Sequence, residues 1–421
     1  MSEREHHDVV VVGSGHGGAH LAATLRARKF AGSIAIVTAE AELPYERPPL
    51  SKEFLSGERT FQRILLRPEA FWAQRDISLK CGNAVVAVDA AERTVRLEDG
   101  RTIQYGKLVW AAGGSPRSLT CSGAWLQGVH TLRSAADVGL LRQQLASTRH
   151  VAIVGGGYIG LEAAASLSKL GKQVTVIETL DRVLARVSGE PLSRFYEVQH
   201  RAHGVNLRLG CRIECVEGEG GRVTGLRLQD GSVLATDLVI VGIGITPVCE
   251  PLLAAGACGG NGVAVDEYCR TSLRDIYAIG DCALHFNSFA GGAAVRLESV
   301  QNASDMAITA AKAITGELQP YRAVPWFWSN QYDLLLQTVG ISLGHDDLVV
   351  RGPTPEGGFA VVYLRNKRVI ALDCVNSSKD FLQGRTLIQL NVPVLREALA
   401  DTTIPLKDLI LGRAAHEAVP G

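Results

Sequence analysis

Two patterns of apolar and polar residues alternate along this chain. Short, mostly apolar runs rich in β-branched residues occur at 9–12, 151–154 and 237–241 and read as strands covered on both faces. A stretch in which apolar and polar residues take turns, at 84–117, and a second hairpin between the strands at 205–209 and 237–241 read as half-buried strands. Asp99-Gly100 and Asp230-Gly231 form their hairpin turns. The pattern predicts helices directly after the first two apolar runs, over 134–146, 191–203 and 298–313, and in the second half of 61–75. Further strands are expected at 33–38, 173–177, 205–209, 107–111 and 277–279. The order strand–glycine turn–helix–strand, then hairpin, then an apolar strand into glycine, occurs twice. That is an internal duplication at domain scale. From Pro325 the character changes to antiparallel strands, with Asn366-Lys367 as a polar turn and helices starting at Ser378 and Val394.

The glycine turns carry the first chemistry. Gly13, Gly15 and Gly18 stand as G-x-G-x-x-G between strand and helix, and Gly155, Gly157 and Gly160 repeat the spacing. The first glycine permits the tight turn, the second lets a pyrophosphate approach the backbone, and the third lets helix and strand pack closely. The helix N-terminus then offers free N–H groups to the phosphates. One such turn is weak evidence, since ordinary βαβ turns share it; the pair implies two dinucleotides. Glu178 ends the strand after the second turn, near the spacing of about 20 residues expected of an acid that binds ribose hydroxyls. Glu40 lies just past the corresponding strand of the first copy. Gly280-Asp281 follows a short strand at its carboxyl end, where ligands of open α/β sheets bind. Three prolines between Leu43 and Pro49 stiffen a loop that runs into a short helix from Ser51. There Lys52 is either an ordinary surface lysine or a cation held in a fixed place.

Composition narrows the class. A chain of 421 residues is too long for one core. With 46% hydrophobic and 20% charged residues it reads as an ordinary soluble globular protein, and a net charge of +0 gives no sign of nucleic acid. No apolar run approaches the roughly 20 residues of a membrane span, and the start MSEREHHD has no apolar core of a signal peptide. The nine cysteines are scattered without a C-x-x-C, so no metal or cluster ligation is expected. Their use suits a reducing cytoplasm.

Taken together, GSGHGG, RPPLSK, AAGGSPR, GGGYIGLE, VGIGI, TSLRDIYAIGDCA, RLESVQNA and PWFWSNQYD resemble the FAD-dependent, NADH-dependent ferredoxin reductases of oxygenase systems, in that family's order from end to end. The resemblance implies an α/β fold. Two Rossmann-like, glutathione-reductase-type nucleotide-binding domains would be joined by a C-terminal α+β domain. The segments would be 1–115 and 246–322 for FAD, 116–245 for NAD and 323–421 for the C-terminal domain. It further implies that FAD is held by Gly13, Gly15, His16, Gly17, Gly18, Glu40, Arg47, Lys52, Val85, Ala112, Arg133, Gly280, Asp281, Val300 and Trp328. NADH would lie on Gly155, Gly157, Tyr158, Ile159 and Gly160, with Glu178 on the ribose, Arg182 and Arg186 nearby, and Glu162 and Gly244 near the nicotinamide.

The implied reaction passes a hydride from NADH to FAD and then single electrons to a small 2Fe-2S ferredoxin. Lys52 and Glu162 would be a charge pair that tunes the flavin. Trp328 would stand on the electron's way out, sharing a strand face with Trp326 while Phe327 takes the other. Two departures from the family pattern stand out. Ala112 replaces a threonine in the Ala-Thr-Gly that ends the first FAD strand, and Glu40 lies one residue past the usual acid. A flavin-dependent disulfide or peroxide reductase needs cysteine against the flavin, and PPLSKEFLS contains none. A non-catalytic flavoprotein of the apoptosis-inducing-factor type needs basic runs or long insertions, and neither is present.

Overall fold

The computed structural model describes residues 5–353 and 357–409. By packing, the chain divides into two compact units: 1–50, 59–115 and 245–323 in one, 51–58, 116–244 and 324–421 in the other. The two stretches expected as the NAD-binding and C-terminal domains therefore belong to one unit.

In the first unit, strands Ile77–Lys80, Ile34–Val37, Glu5–Val12, Thr102–Trp110, Thr94–Leu97 and Val85–Asp89 form a sheet in that order, with Ile276–Ala278 joining on Thr102–Trp110. Val9–Val12 are 0–5% exposed, as both faces of their strand are covered. Parallel register sets Val12 beside both Val37 and Trp110, so the carboxyl ends of three strands line up. The Asp99-Gly100 turn joins an antiparallel hairpin to this parallel sheet, and Gly100 has the left-handed φ of 86° that such a turn asks of one residue. Helix His16–Ala27 packs against helix Val300–Ile314. The latter starts two residues later than the sequence suggests, because Ser299 is its cap and accepts from the Asn302 N–H.

In the second unit, Asn206–Arg208, Gln173–Ile177, His150–Val154, Leu238–Val241 and Val129–Thr131 form a five-stranded parallel sheet. Helix Ala135–Leu145 is closed at its start by a capping box in which Ser134 and Asp137 each satisfy the other's backbone N–H. A second five-stranded sheet, antiparallel, runs Trp326–Gln331, Leu334–Gly340, Arg368–Val375, Phe359–Arg365, Asp347–Arg351. Its Asn366-Lys367 turn holds both residues at φ of 52° and 59°, the two-residue hairpin geometry. Helix Tyr158–Lys169 lies against Trp326–Gln331 and against the short helix Glu53–Ser56, tying all three segments of the unit together. Among the described residues no helix is long and apolar enough to cross a membrane.

Candidate functional site

Each unit carries one glycine cradle, and the two have the same geometry. A Cβ on Gly18 would sit 1.9 Å from Gly13 O, and one on Gly160 would sit 2.1 Å from Gly155 O. Helix and turn are therefore in backbone contact, and no side chain fits. Gly13 and Gly155 add φ of 102° and 110°, which only glycine adopts without strain. Gly15 and Gly157 differ: each is the N-cap of its helix, and a Cβ there meets nothing within 4 Å. The side facing out of each cradle is open, which is the space a pyrophosphate needs. The residues thus fit one dinucleotide per unit.

Around the first cradle the strand ends gather the expected residues. Gly13 N–H bonds to Val37 O, Ala111 N–H to Val12 O and Ile279 N–H to Trp110 O, which brings 13–18, Ala112 and Gly280-Asp281 to one edge of the sheet. Gly82 N–H bonds to Glu40 O and Asn83 N–H to Thr38 O, which brings Val85 to the same edge. Val300 is the first residue of its helix and Gly17 faces Ala303 and Ile279. His16 is half-buried, and burial first, then the charges of Arg47 and His20, lower its pKa to about 4. Glu40 is held in place by its neighbours. Both of its oxygens accept from Arg47, and one also accepts from the Tyr45 hydroxyl. Burial opposes the Arg47 charge, yet Glu40, with Tyr45 and Asp281 behind it, outweighs burial and raises the pKa.

The second unit holds the remaining residues. Glu178 is buried at the foot of its cradle. One oxygen accepts from Gly156 N–H at 2.7 Å, the other from Leu180 N–H at 2.9 Å and Thr179 Oγ1 at 3.1 Å. A carboxylate has about four acceptor sites, so the turn takes most of them and holds the group fixed. Arg182, expected within reach of a 2′-phosphate, is committed elsewhere. It donates to Ser188 O and Ala185 O of its own loop and to Ser193 Oγ of helix Glu190–Ala202. Arg186 is exposed. Gly244 has φ of 97° with open space where a Cβ would go, and its carbonyl accepts from Arg117 N–H. Ile159 is 44% exposed at the helix start. Tyr158 bonds to Ser188 Oγ and lies 4.5 Å, ring to ring, from Phe327. Arg133 stands between strand Val129–Thr131 and the capping box.

Lys52 is no surface lysine. Its ammonium is 2.8 Å from Glu162, and the two side chains are 12% and 7% exposed. Glu162 points from the apolar face of helix Tyr158–Lys169, where an unpaired charge would be very costly. Ser51 Oγ at 2.5 Å and Ser329 Oγ at 2.7 Å complete its shell. Sequence reasoning missed both serines; the signal was a lone acid amid leucine and alanines, which demands buried donors. Trp326 and Trp328 lie 5.6 Å apart on the opposite strand face from Phe327, as alternation expects.

All nine cysteines are free. Cys282, next to Asp281, is fully buried, and burial pushes its thiol up to about 12, so it is not a nucleophile at neutral pH. Alkylating the native protein is therefore expected to leave NADH-driven ferricyanide reduction unchanged. Complete loss of activity without unfolding would contradict this.

Comparison with known proteins agrees with this geometry. Residues 7–307 match the family described as pyridine nucleotide-disulphide oxidoreductase, and 326–410 match the reductase C-terminal family. The chain is 57% identical over 405 residues to the 5,5'-dehydrodivanillate O-demethylase ferredoxin reductase subunit of a Sphingobium species, covering 96% of this chain and 98% of that one. It is 40% identical over 414 residues to putidaredoxin reductase of Pseudomonas putida, covering 97% and 98%. The crystal structure of the covalent putidaredoxin reductase–putidaredoxin complex superposes with a TM-score of 0.92 at 39% identity, covering 99% of both chains. With two dinucleotide cradles, a buried lysine–glutamate pair in the segment where a disulfide reductase needs its thiols, and these relatives, the chain belongs to the pyridine nucleotide-disulphide oxidoreductase family, among the ferredoxin reductases of oxygenase systems.

Proposed function

We propose that this chain carries electrons from NADH through FAD to a 2Fe-2S ferredoxin that supplies a cytochrome P-450 monooxygenase or a Rieske dioxygenase. The observation that carries this reading is the content of 48–56. It holds Lys52 paired with Glu162 and no cysteine. Bound FAD supplies the conversion, taking two electrons at once from a reduced nicotinamide and giving them up singly. The first unit's cradle holds FAD. Its helix N–H groups would hold the pyrophosphate, and Arg47, fixed by Glu40, would supply a positive charge for it. The second unit's cradle holds NADH, with Glu178 presenting its remaining acceptor site to the adenosine ribose. Lys52 and Glu162 hold a fixed pair of opposite charges and tune the flavin; neither acts as a nucleophile. The cytoplasm is the proposed compartment, which suits the nine free thiols.

NADH is the expected coenzyme. A buried, immobile carboxylate repels a 2′-phosphate, and Arg182 is tied up by Ala185, Ser188 and Ser193. A charged hydrogen bond is worth about 1.5–3 kcal/mol, or roughly ten- to a hundredfold. Glu178→Gln is expected to narrow the NADH-over-NADPH ratio of kcat/KM by at least about tenfold. Equal values for both coenzymes in the wild type would contradict the assignment.

Trp328 is proposed as part of the exit toward the ferredoxin. It is part-exposed on a strand face that Phe327 and Ser329 do not share. Aromatic side chains of this kind anchor protein contacts. Trp328→Ala is expected to keep flavin reduction by NADH nearly intact and to slow ferredoxin reduction in stopped flow. If both half-reactions run at the wild-type rate, Trp328 only packs.

A further inference from the structure

Glu162 has a second line of support behind Ser329. Gln331, two residues on and on the same strand face, places Nε2 3.2 Å from Ser329 Oγ. Its Oε1 lies 2.8 Å from His200 Nε2, and His200 Nδ1 lies 3.0 Å from the Tyr332 hydroxyl. Ser329, Gln331 and His200 are 0%, 1% and 0% exposed, and His200 comes from a separate helix, Glu190–Ala202. The carboxylate fixes the direction of each bond in this row as far as His200. A carboxylate only accepts, so Ser329 spends its one proton on Glu162. Ser329 must then accept from Gln331, which turns the amide NH2 toward it and the amide oxygen toward His200. The imidazole therefore carries a proton on Nε2, and in the neutral ring Nδ1 is bare and accepts from Tyr332. The row has one polarity, and all its donors point at Glu162.

We propose that His200 is a positioning residue for Glu162: through Gln331 and Ser329 it holds the carboxylate with one oxygen on Lys52. This rests on the reading of Lys52 and Glu162 as the pair that tunes the flavin. A neutral imidazole lets Tyr332 donate and gives the row one polarity, and burial lowers the His200 pKa to about 4.

The test uses the holoenzyme at pH 7 with histidines labelled by nitrogen-15. The His200 resonance is assigned by its loss in His200→Gln. It is expected as the neutral Nε2–H tautomer, with a shift that moves when Lys52→Met breaks the far end of the row. In stopped flow, His200→Phe and Ser329→Ala are each expected to slow flavin reduction by NADH about tenfold, or about 1.4 kcal/mol of barrier, at unchanged FAD content. His200→Gln, whose amide can donate to Gln331 and accept from Tyr332, is expected to stay within about twofold of the wild type. Ser329→Ala decides the matter if His200→Phe does not fold. An Nδ1–H or charged His200 overturns the proposal. So does wild-type reduction in Ser329→Ala alongside slow reduction in Lys52→Met. If Lys52→Met itself runs at the wild-type rate, the role of the pair is overturned and this proposal with it.

Discussion

Gly157→Val is expected to abolish NADH oxidation while the chain stays folded and keeps its FAD. Gly157 has φ of −82° and ψ of −179°, an extended conformation that valine adopts readily, and a Cβ there meets nothing within 4 Å. The new side chain strains nothing in the protein. It fills the space in front of the helix N-terminus instead. Losing two charged backbone contacts to a pyrophosphate, at about 1.5–3 kcal/mol each, amounts to at least roughly a hundredfold in kcat/KM. Gly160→Ala makes the opposite case. Its Cβ would meet the Gly155 carbonyl at 2.1 Å, backbone against backbone, so helix and strand must separate. That variant is expected to lose the fold of its unit. Circular dichroism, flavin absorbance and steady-state kinetics separate the two. A Gly157→Val protein that oxidises NADH at the wild-type kcat/KM would show that this cradle does not hold the coenzyme.

Lys52→Met is the second large effect. It leaves the Glu162 carboxylate buried with only the Ser51 and Ser329 hydroxyls as donors. Breaking a buried pair by removing one partner costs about 3–5 kcal/mol, because the other charge is left uncompensated. The variant is expected to melt several degrees lower and to reduce its flavin with NADH at least about tenfold more slowly. Adding Glu162→Gln removes the stranded charge while keeping an amide for both serines. The double variant is expected to regain most of the melting temperature and none of the rate. A double variant that regains both would assign the pair to stability alone.

Much of the fold was legible because the strands are buried on both faces. The runs at 9–12 and 151–154 contain no polar residue, and the glycines after them admit one geometry. What was not legible rests on contacts distant in sequence. The loop from Leu43 turns back so that Arg47 and Tyr45 donate to Glu40, a contact that local spacing does not show. Residues 51–58 leave the first unit for the second, and only their packing on helix Tyr158–Lys169 reveals it. The tryptophans of PWFWSNQYD drew the eye to one strand face, while Ser329 and Gln331 on the other face support Glu162. Helix starts moved by a residue or two where a serine cap, rather than a nearby acid, sets the first turn.

Anaerobic stopped flow in two mixes tests the central claim most directly. NADH is mixed first with the oxidised enzyme, and the reduced enzyme is then mixed with an oxidised 2Fe-2S ferredoxin. The flavin absorbance is expected to bleach in the first mix and to return in the second as the ferredoxin is reduced, with no comparable return when a disulfide or a peroxide replaces it. A flavin that NADH does not bleach, or one that a disulfide or peroxide reoxidises while the ferredoxin stays oxidised, would contradict the account.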